Sequence, residues 1–242
     1  MLVNIVNYLT EKEQGILQHI KTDVSGERMK IVTVLKSGGD YNENHVRWLY
    51  SQLPEGYEKV CLTDLSIPDI QTIKLNKNLP GWWSKIEMFD PDKIQDDIFY
   101  LDLDMVILDD ISELLSNKQL TMLSDFFFPE KTKNSAIMYI PHDEKYKVWD
   151  SFNRYPDLFM RRYKEGGDQE FINKIYPHAK TWQELYPGKI VSYKKHVVKK
   201  SKKNEHATGN GDIPQGTKIV CFHGKPRPWS CGEKWVPELI IK

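Results

Sequence analysis

The sequence predicts an α/β sandwich with a largely parallel sheet. Two observations carry this. Short, β-branched apolar runs alternate with helix-length segments along the chain. Several of those runs stop at Gly, Ser or Asp, the composition of a strand passing into a loop. A length of 242 residues suits one such domain with a modest extension and is ample for a sizeable core.

The elements follow in order. Thr10-Glu11-Lys12-Glu13 has capping-box spacing, and Ile16, Leu17 and Ile20 share a helical face. This predicts an N-terminal helix within an extension over 1–28, either packed on the main domain or serving as a docking helix, with a boundary near Ser25-Gly26. The domain proper is expected over 29–242. Lys30 to Leu35 reads as a buried strand entering Ser37-Gly38-Gly39, and His45 to Leu53 as the next helix. Lys59 to Leu62 is a second strand ending at Thr63-Asp64. Gly81 to Phe89 reads as helical. Ile98 to Leu101 is a third strand, ending in Asp102 and Asp104. Met105 to Leu108 is apolar again, Ile111 to Leu115 a short helix, and Gln119 to Ser124 and Ala136 to Ile140 further strands. Lys194 to Gly216, rich in Lys, Gly and Asn, reads as a mobile loop. Ile219 to Phe222 is a last strand, leading into His223-Gly224-Lys225-Pro226-Arg227-Pro228-Trp229. In open sheets of this kind ligands gather at the carboxyl ends of strands, so the loops after Leu35, Leu62 and Leu101 are the places to look.

The chemistry concentrates at Asp102 and Asp104. In extended chain, positions i and i+2 point the same way. Two carboxylates would converge there, and their repulsion would be relieved by a divalent cation such as Mg²⁺ or Mn²⁺. The plainer role of an Asp at a strand end is to cap the following turn. His223, at the end of another strand, adds an imidazole that would suit Mn²⁺ better than Mg²⁺. Gly224 permits close backbone approach, and Lys225 and Lys85 offer point charges for phosphate. A single Lys such as Lys85 more commonly lies on a solvated helix face.

Composition sets limits. Lys plus Arg and Asp plus Glu are both 34, so formal net charge is zero, and bulk charge predicts neither a nucleic-acid nor a membrane partner. No apolar stretch approaches the roughly 18 residues of a membrane span. Three cysteines, Cys61, Cys221 and Cys231, are too few for a disulfide framework and suit reduced thiols in the cytoplasm.

Together these pieces resemble the glycogenin-like family of retaining, nucleotide-sugar-dependent glycosyltransferases, from about Lys30 to Trp229. Phe99-Tyr100-Leu101-Asp102-Leu103-Asp104, with Asp109 beyond it, is similar to that family's Asp-x-Asp segment. Trp83-Ser84-Lys85-Ile86 resembles the helix whose lysine approaches the donor. Asn134 to Tyr139 resembles its Asn-Ser strand, Gly167-Asp168-Gln169 its Asp-Gln loop, and His223 to Trp229 its late His…Gly…Lys-Pro-Trp motif. The resemblance implies a single GT-A domain, Rossmann-like, with a mixed, mainly parallel sheet. It implies transfer of a hexose, with retention, from a UDP-linked donor to an acceptor that the sequence leaves unnamed. Asp102, Asp104 and His223 would ligate Mn²⁺, with Mg²⁺ the alternative. Lys85 and Lys225 would meet the diphosphate, with the backbone at Leu103 and Gly224 beside the metal and phosphates. Asp125, Asn134, Asp168 and Gln169 would hold the donor sugar, and Asp168, Gln169 and Lys225 would be closest to the chemistry. The loop from Leu35 to Tyr41 and Asp64 would hold the nucleoside, with Tyr41 either stacked on the base or simply a surface tyrosine. The chain departs from the pattern in having His223 and Gly224 adjacent and Arg227 before Pro228-Trp229. Which of Lys225 and Arg227 meets the phosphates therefore stays open.

Other readings compete. A nucleotidyltransferase can share the sheet and an acidic metal site but would release pyrophosphate. A non-catalytic nucleotide-sugar or glycan-binding module would share the pocket. The basic run Lys194 to Lys203 is either a solvated loop, a cover for the phosphates or a dock for an anionic acceptor. Nucleic-acid binding ranks lowest, because the run lacks interleaved aromatics. The helix carrying Trp149, Phe152, Tyr155, Phe159 and Tyr163 is expected to pack in the core rather than touch sugar.

Overall fold

The computed structural model describes residues 29–241. The predicted N-terminal helix and the 1–28 extension lie outside the described residues. The fold is mixed α/β, with one seven-stranded sheet and one three-stranded sheet.

The large sheet is built on β1 (Met29–Leu35), β2 (Glu58–Thr63), β3 (Thr72–Lys74) and β4 (Asp97–Leu101), then β6 (Thr121–Ser124), β7 (Lys133–Ile140) and β8 (Lys180–Thr181). Their order is β3-β2-β1-β4-β7-β6-β8. All neighbours run parallel except β7, which is antiparallel to both β4 and β6. The expected mainly parallel sheet is therefore present. Its strands are apolar on both faces because both faces are covered. Ile31 and Leu35 of β1 and Phe99 and Leu101 of β4 point into one core; Val32, Ile98 and Tyr100 point into the other. The alternation is the strand period of two at work.

The small sheet, β5 (Met105–Ile107), β10 (Ile219–Cys221) and β9 (Ile190–Ser192), lies in that order and packs into the first of these cores. The backbone joins the two sheets at the Asp-x-Asp turn. Asp102 N–H donates to Ala136 O beside β7 (2.8 Å), and Phe222 N–H, just past β10, donates to Asp104 O (3.3 Å).

Elements differ from expectation in detail. The first helix, α1 (Glu43–Tyr50), starts two residues early because Asn42 caps it, accepting from Asn44 N–H at 3.0 Å. Gly81–Phe89 is a 3-10 helix rather than an α-helix. Its threefold repeat gives it two distinct rows. Trp83, Ile86 and Phe89 enter the second core, while Trp82 and Lys85 line an open cavity. Beneath it, Glu87 is fully buried and accepts from Asn76 N–H (2.7 Å), Lys77 N–H (2.9 Å) and Lys93 Nζ (2.7 Å). The expected aromatic helix is two helices, Lys145–Arg154 and Pro156–Arg162, because Pro156 starts the second. Phe152 and Tyr163 are buried as expected, but Tyr155 is exposed. Strands β3, β8 and β9 escaped sequence reasoning, each being two or three residues long.

The expected mobile loop carries more structure than its composition suggests. Tyr193–Val197 forms a π-helical turn. The chain beyond folds back on it, with Thr208 and Gly209 N–H on Lys195 O and Gly211 N–H on Val197 O. Cys61, Cys221 and Cys231 are free thiols. Among the described residues no helix is long and apolar enough to cross a membrane.

One buried cation supports the back of the sheet. Lys145 is fully buried, and its ammonium donates to Ile94 O and Asp96 O, both at 2.5 Å. Burial lowers its pKa to about 8, against the opposing pull of Asp97 and Asp96. Lys145→Met would leave two buried carbonyls without donors. The expected cost is about 2–4 kcal/mol of folding stability, since each orphaned group forfeits its hydration without replacement. A urea titration reads it as a lower midpoint with unchanged slope.

Candidate active site

A cavity of about 820 Å³ opens at the carboxyl ends of β1, β4 and β10, the position expected for a ligand in this architecture. The antiparallel β7 contributes the opposite end of itself, so Asn134, Ser135 and Ala136 join the same wall. Most of the residues singled out in the sequence line it: Leu35 and Tyr41 after β1, Lys85 on the 3-10 helix, Asp102, Leu103 and Asp104 after β4. Asn134, Asp168, Gln169, His223 and Gly224 complete them.

Three sequence candidates do not line the cavity. Asp64 instead holds the loop after β1, accepting from Lys36 Nζ (2.6 Å), Ser37 N–H (2.9 Å) and Ser37 Oγ (2.6 Å). Those donors offset burial and keep its carboxyl well below the usual range. Asp125 accepts from Phe127 and Phe128 N–H (2.8 and 2.7 Å) and closes a turn. Lys225 is exposed, and Arg227, two residues on, enters the cavity in its place.

The two aspartates do not run extended and side by side. The chain turns between them, and each carboxylate meets its own cation. Asp102 Oδ1 lies 3.1 Å from Lys85 Nζ and accepts from Tyr100 OH at 2.5 Å. Lys85 also reaches Asp168 Oδ2 (3.4 Å) and Ser135 Oγ (3.2 Å), and Ser135 Oγ donates to Asp168 (3.3 Å). Burial opposes the charge on Lys85, which is only 8% exposed, but Asp102 and Asp168 more than offset it and raise its pKa. The single helical lysine is thus a buried hub rather than a solvated surface charge. Asp168 is itself pushed up, chiefly by burial.

Asp104 Oδ2 accepts from Arg227 Nη1 (2.7 Å) and Tyr41 OH (2.9 Å). Burial and the neighbouring charge of Asp102 push it up to about 7, against the pull of Tyr41 and Arg227. The Tyr41 ring lies under the Arg227 guanidinium, 4.8 Å from its carbon, and edge-on to His45 and Trp229. One face of Tyr41 is therefore already taken by the protein. Arg227 Nη2 lies 3.4 Å from Asp40, while its Nε is buried without a hydrogen-bond partner. An orphaned donor of this kind is costly.

His223 lines the same cavity but is hydrogen-bonded elsewhere. Its Nε2 lies 2.7 Å from Ser192 Oγ, and its ring stacks on Phe126 at 6.0 Å. Burial and the nearby Lys194 lower its pKa to about 4, so the ring is neutral. Among the described residues no three His, Cys, Asp or Glu side chains come together as a metal cage. Asp104 is buried and Asp102 half-buried, and the charge of Asp102 disfavours that of Asp104, a repulsion that a hard divalent ion would relieve.

Sequence reasoning missed Lys194 as an individual, because it was read as one of a basic run. The π-helical turn directs it inward. Its ammonium sits 3.4 Å from where a Cβ on Gly224 would stand, and Gly224 has φ +72°. A side chain at 224 would be strained and would crowd the lysine. Burial and the positive charge of Arg227 lower its pKa. No local signal marked it, since the strand it follows, β9, is itself only three residues long.

Removing the hub should be costly in a pH-dependent way. Lys85→Met leaves the buried Asp168 and the half-buried Asp102 without their cation, an expected loss of about 3–5 kcal/mol near neutral pH. Without the ammonium, the folded pKa of Asp168 rises further above its unfolded value. The native state then binds more protons as pH falls, so the deficit should shrink on acidification toward about pH 5. Urea titrations of wild type and variant at both pH values check the sign.

No family model matches the chain, and no curated protein matches it. Solved structures do. The glycosyltransferase GlyE of Streptococcus pneumoniae TIGR4 superimposes with a TM-score of 0.61 at 16% identity, covering 85% of this chain and 56% of that one. The chain thus spans a little over half the length of GlyE. The galactosyltransferase LgtC, solved with donor and acceptor sugar analogs, superimposes with a TM-score of 0.53 at 12% identity, covering 84% of this chain and 90% of that one. At such identities the likeness concerns the fold, and the chain has the GT-A fold of these glycosyltransferases.

Proposed function

We propose that the protein is a glycosyltransferase that moves a hexose from a UDP-linked donor to an acceptor hydroxyl, with retention at the anomeric carbon. The observation that carries this is the charge pattern of the cavity. The cations Arg227 and Lys85 line it together with Gly224, and the ammonium of Lys194, outside the lining, lies against Gly224. Arg227 also holds a buried N–H with no partner. Cations gathered around one cavity suit a multiply charged anion, and a nucleoside diphosphate has that charge. The glycosyltransferase fold supports the same reading.

Each residue then has a role in the proposal. The loop from Leu35 to Tyr41, braced by Asp64, holds the nucleoside. Arg227 and Lys194 take the diphosphate and stabilise its charge as it leaves, a preorganised electrostatic contribution. The position of Arg227 in the cavity wall, with Lys225 outside it, supports Arg227 for this role. Asn134 and Asp168 hold sugar hydroxyls, Lys85 fixes Asp168 and Asp102, and Gln169 stands at the open side near the anomeric carbon. A divalent cation held by Asp102 and Asp104 would supply further positive charge to the diphosphate. With His223 bonded to Ser192, the ligands are oxygens, which suit Mg²⁺ as well as Mn²⁺.

The test is nucleoside diphosphate release from a panel of nucleotide-sugars, with Mn²⁺, Mg²⁺ or chelator. Release from one UDP-hexose, abolished in Asp104→Ala, is expected. Full activity of Asp104→Ala, or no UDP binding by the wild type, would sink the assignment. Calorimetric titration addresses the cations separately. Lys194→Met and Arg227→Met should each weaken UDP about tenfold or more, while uridine affinity stays within about twofold, because a charge-assisted contact to phosphate contributes about 1.5–3 kcal/mol and the nucleoside lacks it.

A further inference from the structure

We infer that Trp82 is the platform on which a pyranose acceptor stacks, so that the acceptor is a saccharide. This rests on the transferase reading of the same cavity and narrows it to one class of substrate.

The two adjacent tryptophans of the 3-10 helix have opposite fates. Trp83 is 5% exposed and stacked on Phe152 at 5.5 Å, in the core. Trp82 is 58% exposed and lines the cavity. Its indole contributes little to the core, yet it is firmly seated. Gly167 adopts φ +61°, and a Cβ there would lie 2.4 Å from Trp82 Nε1. Only a residue without a side chain lets the indole rest on this loop. A large aromatic surface thus rests against the Gly167 backbone and is left open to the cavity.

Its position within the cavity identifies the ligand. Gly167 leads into Asp168, which is bonded to Ser135 of β7 and to Lys85, so Trp82 sits on the β7 side of β4. The proposed nucleoside loop, Lys36 to Tyr41, follows β1 on the other side of β4. Trp82 therefore lies across the cavity from the loop proposed for the nucleoside. Glu165 and Gln169 line the same rim and offer hydrogen-bonding groups. A pyranose matches this pairing. Its C–H face lies on the electron-rich face of an indole, while its equatorial hydroxyls meet polar groups at the edge. A serine or threonine hydroxyl of a peptide would need neither.

The experiment uses ¹⁵N-labelled full-length protein. The seven tryptophans give indole N–H signals, and Trp82→Phe assigns one by its disappearance. UDP is added first, then methyl glycosides of glucose, galactose and N-acetylglucosamine, and lactose. A saturable shift of the Trp82 signal with at least one saccharide is expected. With that saccharide as acceptor, Trp82→Ala should lower the ratio of transfer to donor hydrolysis tenfold or more, and Trp82→Phe less. The inference is overturned if no saccharide moves the signal, if UDP alone moves it and saccharides do not, or if Trp82→Ala keeps the wild-type ratio. Failure of UDP to perturb any signal counts instead against the transferase reading, and the saccharide titration still reports on Trp82.

Discussion

The site depends on one buried ammonium. Lys85 joins the 3-10 helix to the end of β4 through Asp102, to the start of β7 through Ser135 and to the Gly167–Ile175 helix through Asp168. Four separate stretches of sequence are fixed at one point. A buried ion pair adds little net stability over an apolar substitute, but leaving one partner unpaired is severe. Such a cluster therefore selects one arrangement over others more than it strengthens the whole. The aspartate pair, the wall of β7 and the seat of Trp82 all take their positions from it.

A second cluster organises the opposite wall by the same logic. Arg227 lies between Asp104 and Asp40 and over the ring of Tyr41, which in turn packs against His45 and Trp229. The late motif is thus folded back against the first loop of the domain, nearly the full length of the sheet region away in sequence. Hydrogen bonds and a cation–π contact share the guanidinium, a combination a lysine would not reproduce. Arg227 before Pro228-Trp229 is in this light a change of geometry and not a conservative exchange.

How much of this was legible follows from what a sequence encodes locally. Strands of five or more residues with β-branched runs, such as β1 and β4, were found within a residue or two. The short strands β3, β8 and β9 were not, because tertiary pairing creates them, whereas β10, equally short, was betrayed by its unbroken apolar run. Most site candidates fell in the cavity because strand ends carry them there, as Asp102, Asn134 and His223 show. The extended-chain argument placed Asp102 and Asp104 at one point with the wrong geometry, since it could not foresee that two sheets would each claim one of them. Partners more than a hundred residues distant, such as Arg227 for Asp104, leave no local trace. Lys194 was hidden for the opposite reason: its neighbours Lys199, Lys200, Lys202 and Lys203 are solvent-facing, and composition alone assigned it their character.

The turn from Asp102 to Asp104 is also where the two sheets are stitched together, one end held by Ala136 and the other by Phe222. Its two carboxylates are anchored to opposite banks, one to Lys85 and one to Arg227. A ligand that spans them acts as a cross-brace over a seam. By linkage, the free energy of filling the cavity is added to the free energy of holding the sheets in register. Occupancy and architectural rigidity are in this fold the same variable, measured at two places.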